Sequence, residues 1–224
     1  MTYDAKEILS MLDGFYFSPD FSEDDNNMVD QFLTDNDLPY LIYHGSSKLV
    51  LVPEDDDKDY VIKIPYCGMY VGHDTDFTPF VCAPAKERKW DYCEAEVERF
   101  SIAKEHNLDF SLAETRLIGF VHNHPIYIQE RCVSMQDEND SSTSFSPKEL
   151  IKTRNLIEDS GRRIPYQMSL TWLADFELWY GTNTLMKFID FLVDNEWDDD
   201  LRTANIGYNE NNRPVLIDYS SFYE

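Results

Sequence analysis

The sequence predicts an α+β chain in two lobes, an antiparallel-sheet N-terminal lobe carrying one helix and a reduced, mainly helical C-terminal lobe. Three observations predict it. Residues 41–64 hold three short β-rich runs separated by turn residues, the pattern of an antiparallel sheet. Beyond residue 146 the apolar residues fall at helical spacing. Between these textures lies the polar, low-complexity stretch 134–146, the expected boundary. The expected divisions are an acidic extension over 1–38, an N-terminal lobe over 39–133, a flexible link over 134–146 and a C-terminal lobe over 147–224.

Composition bounds the function. A chain of 224 residues supports one sizeable core or two small lobes. With 14% aromatic and 42% hydrophobic residues it reads as folded rather than as a disordered acidic tail. Lys and Arg number 19 against 43 Asp and Glu, a formal net charge of -24. Such a field repels nucleic acid and anionic membrane, so the expected partner is a protein with a basic surface. It also opposes a free nucleotide, so a phosphate site here requires metal ions and local basic residues. Cys67, Cys82, Cys93 and Cys132 have neither pairing nor metal-ligand spacing and are expected as reduced thiols of a cytoplasmic protein. Residues 1–12 contain Asp4 and Glu7 and lack a signal-peptide core. No window is long and apolar enough to span a membrane.

Taken in order, residues 7–12 predict a short helix, followed by an acidic segment through Asp24 and Asp25. This region is expected as a peripheral element with a solvated charge run, polyanion mimicry being the sharper alternative. The runs 41–43, 49–52 and 60–64 predict strands, with Gly45-Ser46-Ser47-Lys48 as a turn between the first two. Strand alternation puts Ile62 and Ile64 on one face and Lys63 on the other. An ordinary solvent-facing lysine is the plain alternative. Residues 66–88 are expected as an irregular insertion, and 91–106 as a helix with Ala95, Phe100, Ile102 and Ala103 as buried candidates. Glu96 shares a helix face with Phe100 and Ala103, and an acidic residue there needs a partner. Lys63 is the obvious one, although Glu94 is near enough in sequence to take that role.

Residues 116–121 and 126–129 predict two further strands joined by His122-Asn123-His124-Pro125. Without a nearby Cys or acidic ligand pair, the two histidines read as a turn rather than a metal site. Ser146-Pro147-Lys148-Glu149 is a helix start, for a helix running toward Asp159. Residues 170–180 and 184–193 predict two more helices separated at Gly181, the second burying Leu185, Phe188, Ile189 and Leu192. Residues 209–214 read as the turn of a hairpin whose second strand covers 215–217. Around it stand Asp200, Asn205 and Asp218, oxygen-bearing side chains at spacings that can converge on a nucleotide's metal ions.

A glycine-containing turn, a strand lysine, a helix glutamate and then Asp, Asn and Asp, in this order, resemble the protein-kinase-like superfamily, most closely compact kinase-like proteins of phages and bacteria. Tyr60-Val61-Ile62-Lys63 resembles the family's Val-Ala-Ile-Lys strand, and Glu96 the glutamate paired with it. Residues 128–132 resemble the hinge between lobes. Asp200-Leu201-Arg202-Thr203-Ala204-Asn205 resembles the catalytic loop, and Asp218-Tyr219-Ser220 stands where Asp-Phe-Gly would be.

The resemblance implies a bilobal kinase-like fold and an ATP- and magnesium-dependent phosphotransferase acting on Ser or Thr of itself or of a protein partner. It implies that Lys63, oriented by Glu96, holds phosphates. Gly45, Ser46, Ser47 and Lys48 would cover them through backbone groups, and the hinge residues Glu130 and Cys132 would line the nucleotide site. Asn205 and Asp218 would hold magnesium, Asp200 would accept the proton of the attacking hydroxyl, and Arg202 would steady developing charge. The same residues would serve nucleotide transfer or small-molecule phosphorylation. Only Gly45 stands for the expected loop glycines, Asp198-Asp199-Asp200 replaces His-Arg-Asp, and six residues follow Asp218, too few for an activation segment. A binding-only pseudokinase is therefore the alternative, followed by an acidic DNA-mimic-type inhibitor of a basic partner. A phage origin would place the protein in a host cytoplasm.

Overall fold

The computed structural model describes residues 1–18, 21–45, 47–66, 71–73, 79–81, 92–135, 145–198 and 201–219. The chain forms two compact units, Met1–Glu98 with Glu114–Glu130 and Arg99–Ala113 with Arg131–Glu224. The first contains α1 (Ala5–Leu12), α2 (Asn26–Asp35), β1 (Tyr40–His44), β2 (Lys48–Pro53), β3 (Tyr60–Pro65), β4 (Val71–His73) and β5 (Pro79–Val81). It also includes the start of α3 (Tyr92–Glu105), then β6 (Thr115–Val121) and β7 (His124–Glu130). The second unit takes the remainder of α3, β8 (Cys132–Ser134), α4 (Pro147–Asp159), α5 (Leu170–Tyr180), α6 (Thr182–Asp194), β9 (Ile206–Asn209) and β10 (Pro214–Leu216). An antiparallel N-terminal sheet with helices and a mainly helical C-terminal region match a bilobal kinase-like architecture.

The five-stranded sheet runs β1-β2-β3-β7-β6, each neighbour antiparallel. Its register sorts side chains cleanly between two faces. Leu49 opposes Ile64, Leu51 opposes Ile62, and Ile62 opposes Ile128, so these apolar residues share one face. They pack with Ile8, Leu12, Phe15, Phe17, Phe21 and Val29 in a single core. The expectation of a peripheral segment over the first residues is thereby corrected: Glu23 and Asp24 stay exposed while the aromatic residues around them enter the core. The hydrophobic effect separates neighbours whose charge run had masked a buried stripe. Residues 71–81, expected as irregular, include the antiparallel pair β4 and β5, with Val71 opposite Val81.

At the β6–β7 turn, His122 and Asn123 take φ of 49° and 68°, the left-handed pair that a two-residue hairpin requires. His124 then points inward and is buried, its ring stacked on Phe17 at 4.8 Å, with Nε2–H donating to the Pro65 carbonyl at 2.8 Å. The turn is thus His122 and Asn123, while His124 and Pro125, expected within it, belong to β7. Among the described residues no group of three or more His, Cys, Asp or Glu could hold a metal ion.

The second unit has its own core, built on Trp172, Phe176, Phe188 and Ile189 with Ile206 and Leu216. The start of α4 is a reciprocal cap: the Glu149 amide donates to Ser146 Oγ at 3.4 Å, and the Ser146 amide donates to the Glu149 carboxylate at 2.8 Å. A small sheet, β10-β9-β8, lies in this unit. Gly207 sits in its central strand, where an added Cβ would collide with the Val133 carbonyl and lie 2.7 Å from Ile217. Its own carbonyl accepts from Trp172 Nε1 at 3.0 Å. Close approach of three strands and an indole leaves no room for a side chain at 207. Cys93 is buried and Cys132 half-buried, and Cys67 and Cys82 lie outside the described residues. Among the described residues no helix is long and apolar enough to cross a membrane.

Burial lowers the His124 imidazole from 6.5 to about 4, the hydrogen bond to Pro65 opposing this only in part. Between those values the unfolded chain takes up a proton that the folded chain refuses. Stability therefore falls with pH through that window, by about 3 kcal/mol at its lower end. In denaturant unfolding at pH 7 and pH 5, the parent protein is expected to lose more stability on acidification than His124→Gln; equal losses would refute the assignment.

Candidate functional site

One face of the first sheet carries a buried cluster of charged and polar side chains. Register places Lys63 opposite Val50 and Tyr127, and Gln129 opposite Val61 and Thr115. Lys48 lies two residues before Val50, so period-2 alternation gives it the same face. Lys48, Lys63, Thr115 and Gln129 all converge on one carboxylate. Glu96 of α3 is 0% exposed, and Lys48 and Lys63 are 4% and 3% exposed. Lys63 donates to both carboxylate oxygens, at 2.9 Å to Oε1 and 2.8 Å to Oε2. Lys48 donates to Oε1 at 2.5 Å, Thr115 Oγ1 to Oε2 at 2.8 Å, and Gln129 Nε2 to Oε2 at 3.4 Å. Gln129 also donates to Thr115 Oγ1 at 2.9 Å.

Burial of this carboxylate is tolerable only because donors occupy both of its oxygens. The Lys63–Glu96 pair is thus present as expected, and the solvent-facing alternative for Lys63 is excluded. Glu94 is exposed. Sequence reasoning assigned Lys48 a role through its backbone alone; its side chain is the second ammonium on Glu96. The available signal was alternation from Val50 back to Lys48, which depends on a register that turn residues obscure.

In the second unit the β9–β10 hairpin brings Asn205 and Asp218 together. The Asn205 carbonyl accepts from the amides of Ile217 at 2.8 Å and Asp218 at 3.2 Å. Asn205 is 5% exposed and Asp218 is half-buried. The backbone thus brings two residues with oxygen-bearing side chains to adjoining positions, and magnesium takes only one or two protein ligands beside waters and phosphates. Arg99 of α3, which sequence reasoning passed over, donates to the Tyr219 carbonyl and lies 5.0 Å from the Trp197 ring centroid. The Tyr219 hydroxyl donates to the Ala113 carbonyl at 2.8 Å. Tyr219 is therefore tied at both ends, which fixes the backbone that bears Asp218. Asp198 is buried and accepts from Arg163 at 2.9 Å, which offsets charge in the acidic run.

The remaining expected residues sit apart or differ in setting. Gly45 is exposed, its amide donates to the Lys48 carbonyl at 3.1 Å, and a Cβ there would meet open space. Ser47 is buried and its carbonyl accepts from the Tyr66 amide at 3.0 Å. Glu130 ends β7, paired with Tyr60, and its amide donates to the Glu114 carbonyl at 3.0 Å. Cys132 opens β8 opposite Asn209, a strand pairing that the hinge reading did not anticipate. Arg202 is exposed, and its carbonyl accepts from the Asn205 amide at 2.8 Å. Ser46 and Asp200 lie outside the described residues, as do residues 136–144 of the link.

Comparison with protein families finds no match, and comparison with curated proteins finds none. Among solved structures, choline kinase LicA from Streptococcus pneumoniae matches 87% of this chain and 68% of its own, at 14% identity and a TM-score of 0.32. A likeness of that size carries no argument about function.

Removal of the shared carboxylate leaves two buried ammoniums without it. Glu96→Ala is expected to cost about 3–5 kcal/mol. Denaturant unfolding checks this, and a loss under about 1 kcal/mol, the range of exposed pairs, would show that Glu96 does not organise the face.

Proposed function

We propose that the chain is a kinase-like phosphotransferase that uses ATP and magnesium to phosphorylate a Ser or Thr hydroxyl of itself or of a protein partner. The observation that carries this reading is the buried Lys63–Glu96 pair, with Lys63 bonded to both carboxylate oxygens. A lysine so oriented suits phosphate oxygens, and its glutamate sets the geometry. Asn205 and Asp218, on adjoining backbone, are the residues that would hold magnesium. When bound, the ion would neutralise phosphate charge, which a chain of net charge -24 cannot do unaided. Asp200 would accept the proton of the attacking hydroxyl, and Arg202 would steady developing negative charge. Gly45, Ser46, Ser47 and Lys48 would cover the phosphates, and Glu130 and Cys132 would border the nucleotide. The acidic composition favours a basic protein partner, and a cytoplasmic compartment is part of this reading.

A binding-only pseudokinase is the second reading. It is favoured by the completeness of the Glu96 cage, which can serve the fold with no nucleotide at all.

Purified protein with magnesium and ATP is expected to transfer the γ-phosphate to itself or to a partner, and Lys63→Ala or Asp218→Ala to abolish transfer. ATP binding without transfer to any candidate would favour the pseudokinase. Absence of nucleotide binding would overturn the phosphotransferase reading.

A further inference from the structure

The five-stranded sheet ends in two edge strands, β1 and β6, and an edge offers N–H and C=O groups to any extended chain that reaches it. The two edges differ. β6 is interrupted by a register shift between Leu117 and Gly119 and carries the exposed Arg116. A bulge and a charge are ordinary means of blunting an edge. β1 has neither. Its residues Tyr40-Leu41-Ile42-Tyr43-His44 include no proline, lysine, arginine or carboxylate, and they pair with β2 in an unbroken register.

The ladder decides which groups of β1 face outward. The Gly45 amide donates to the Lys48 carbonyl at 3.1 Å, and the Glu54 amide to the Pro39 carbonyl at 2.9 Å. In the same register Leu41 opposes Val52 and Tyr43 opposes Val50, so Leu41 and Tyr43 exchange their backbone bonds with β2. Ile42 and His44 alternate with them and turn their N–H and C=O away from it. Among the described residues no strand pairs with this side of β1. Side chains give the open edge its chemistry. On one face Leu41 and Tyr43 are 48% and 55% exposed, beside the half-buried Val52 and Val50. On the other, exposed His44 has Nδ1 3.4 Å from Glu23 Oε1. Glu23, Asp24, Asp35 and Asp37 in the stretch before β1, and Glu54 just after β2, are all exposed carboxylates.

We propose that β1 accepts an added strand from a protein partner, an extended segment whose apolar side chains lie on Leu41 and Tyr43 and whose lysines or arginines face the carboxylates around Glu23. Backbone bonds to Ile42 and His44 supply the attachment, and alternate side chains supply the choice of partner. A second copy of the chain is the poorer occupant, because it would bring an equal net charge of -24 to an acidic edge. The inference deepens the basic-partner part of the proposed function and is independent of its nucleotide chemistry.

The probe is a blocked peptide of alternating valine and lysine, long enough to span β1, titrated into the full chain without nucleotide, with amide hydrogen exchange and thermal unfolding read alongside. Saturable binding is expected, with exchange at the Ile42 and His44 amides slowed at least tenfold. His44→Pro removes one outward donor and leaves the ladder to β2 in place. Leu41→Lys sets a like charge in the path of the peptide. Each is expected to weaken binding at least tenfold at a parent-like melting midpoint, while Phe120→Lys on the β6 edge leaves binding unchanged. A peptide of alternating proline and lysine carries the same charge but cannot complete a ladder, and is expected to bind at least tenfold more weakly. Equal binding of the two peptides would mean attraction by charge alone and would overturn the proposal. So would unchanged exchange at Ile42 and His44, equal weakening by Phe120→Lys, or no binding by the parent protein. Dimerisation of the parent that protects the same two amides would assign the edge to a second copy and overturn it as well. Should His44→Pro fail to fold, Leu41→Lys and the exchange of the two amides in the parent still decide. Since the assay contains no nucleotide, its failure leaves the phosphotransferase reading standing, and a failure to bind ATP leaves the edge proposal standing.

Discussion

A fully buried carboxylate sets the terms for the first unit. Burial of Glu96 is costly without donors on both oxygens, and the sheet supplies them from β2, β3, β6 and β7 together. That demand constrains the strands jointly. A one-residue slip in any of them would turn its donor toward the apolar face, and in β2, β3 or β7 it could place Leu49, Ile62 or Ile128 against the carboxylate. The opposite face imposes the same register for the opposite reason, since Leu49, Leu51, Ile62 and Ile64 must meet the aromatic core of the first residues. Polar and apolar requirements therefore agree on one alignment, the consistency across levels that specifies a single fold.

The second unit depends on close approach rather than on charge. Gly207 admits β8 and β10 on either side and receives the indole of Trp172, so the hairpin is held by backbone contacts and one buried ring. Its two ends then place Asn205 beside Asp218, and Arg99 with the Tyr219 hydroxyl fixes the segment just beyond. If Asn205 and Asp218 bind a ligand as proposed, such a braced turn would leave them little freedom to lose, which is the advantage of a rigid support.

Much of this was legible in the sequence because local rules and tertiary demands coincided. The alternation around Lys63 gave its face, the helical spacing of Glu96 marked a buried acid, and Ser146, Pro147 and Glu149 announced α4 with its cap. The hairpin turn before Pro214 was equally local. What escaped depends on contacts distant in sequence. Lys48 lies beside turn residues, where strand register cannot be counted from the chain alone, and so its side chain was overlooked. Strand β8 is three residues long and pairs with β9 some seventy positions later, too short a run to show a period. Phe15, Phe17 and Phe21 stand amid acidic residues that dominate the local composition, although only the aromatic rings enter the core. Arg99 carried no motif, and its meaning emerges only from its contacts with Trp197 and Tyr219.

The central claim is that this acidic chain binds a nucleotide through lysine and metal rather than through overall charge. Calorimetric titration of ATP into the parent protein, with magnesium and again with the metal chelated, tests it most directly. The account predicts saturable binding below millimolar nucleotide that is lost on chelation; no binding by the folded protein at millimolar ATP and excess magnesium would contradict it.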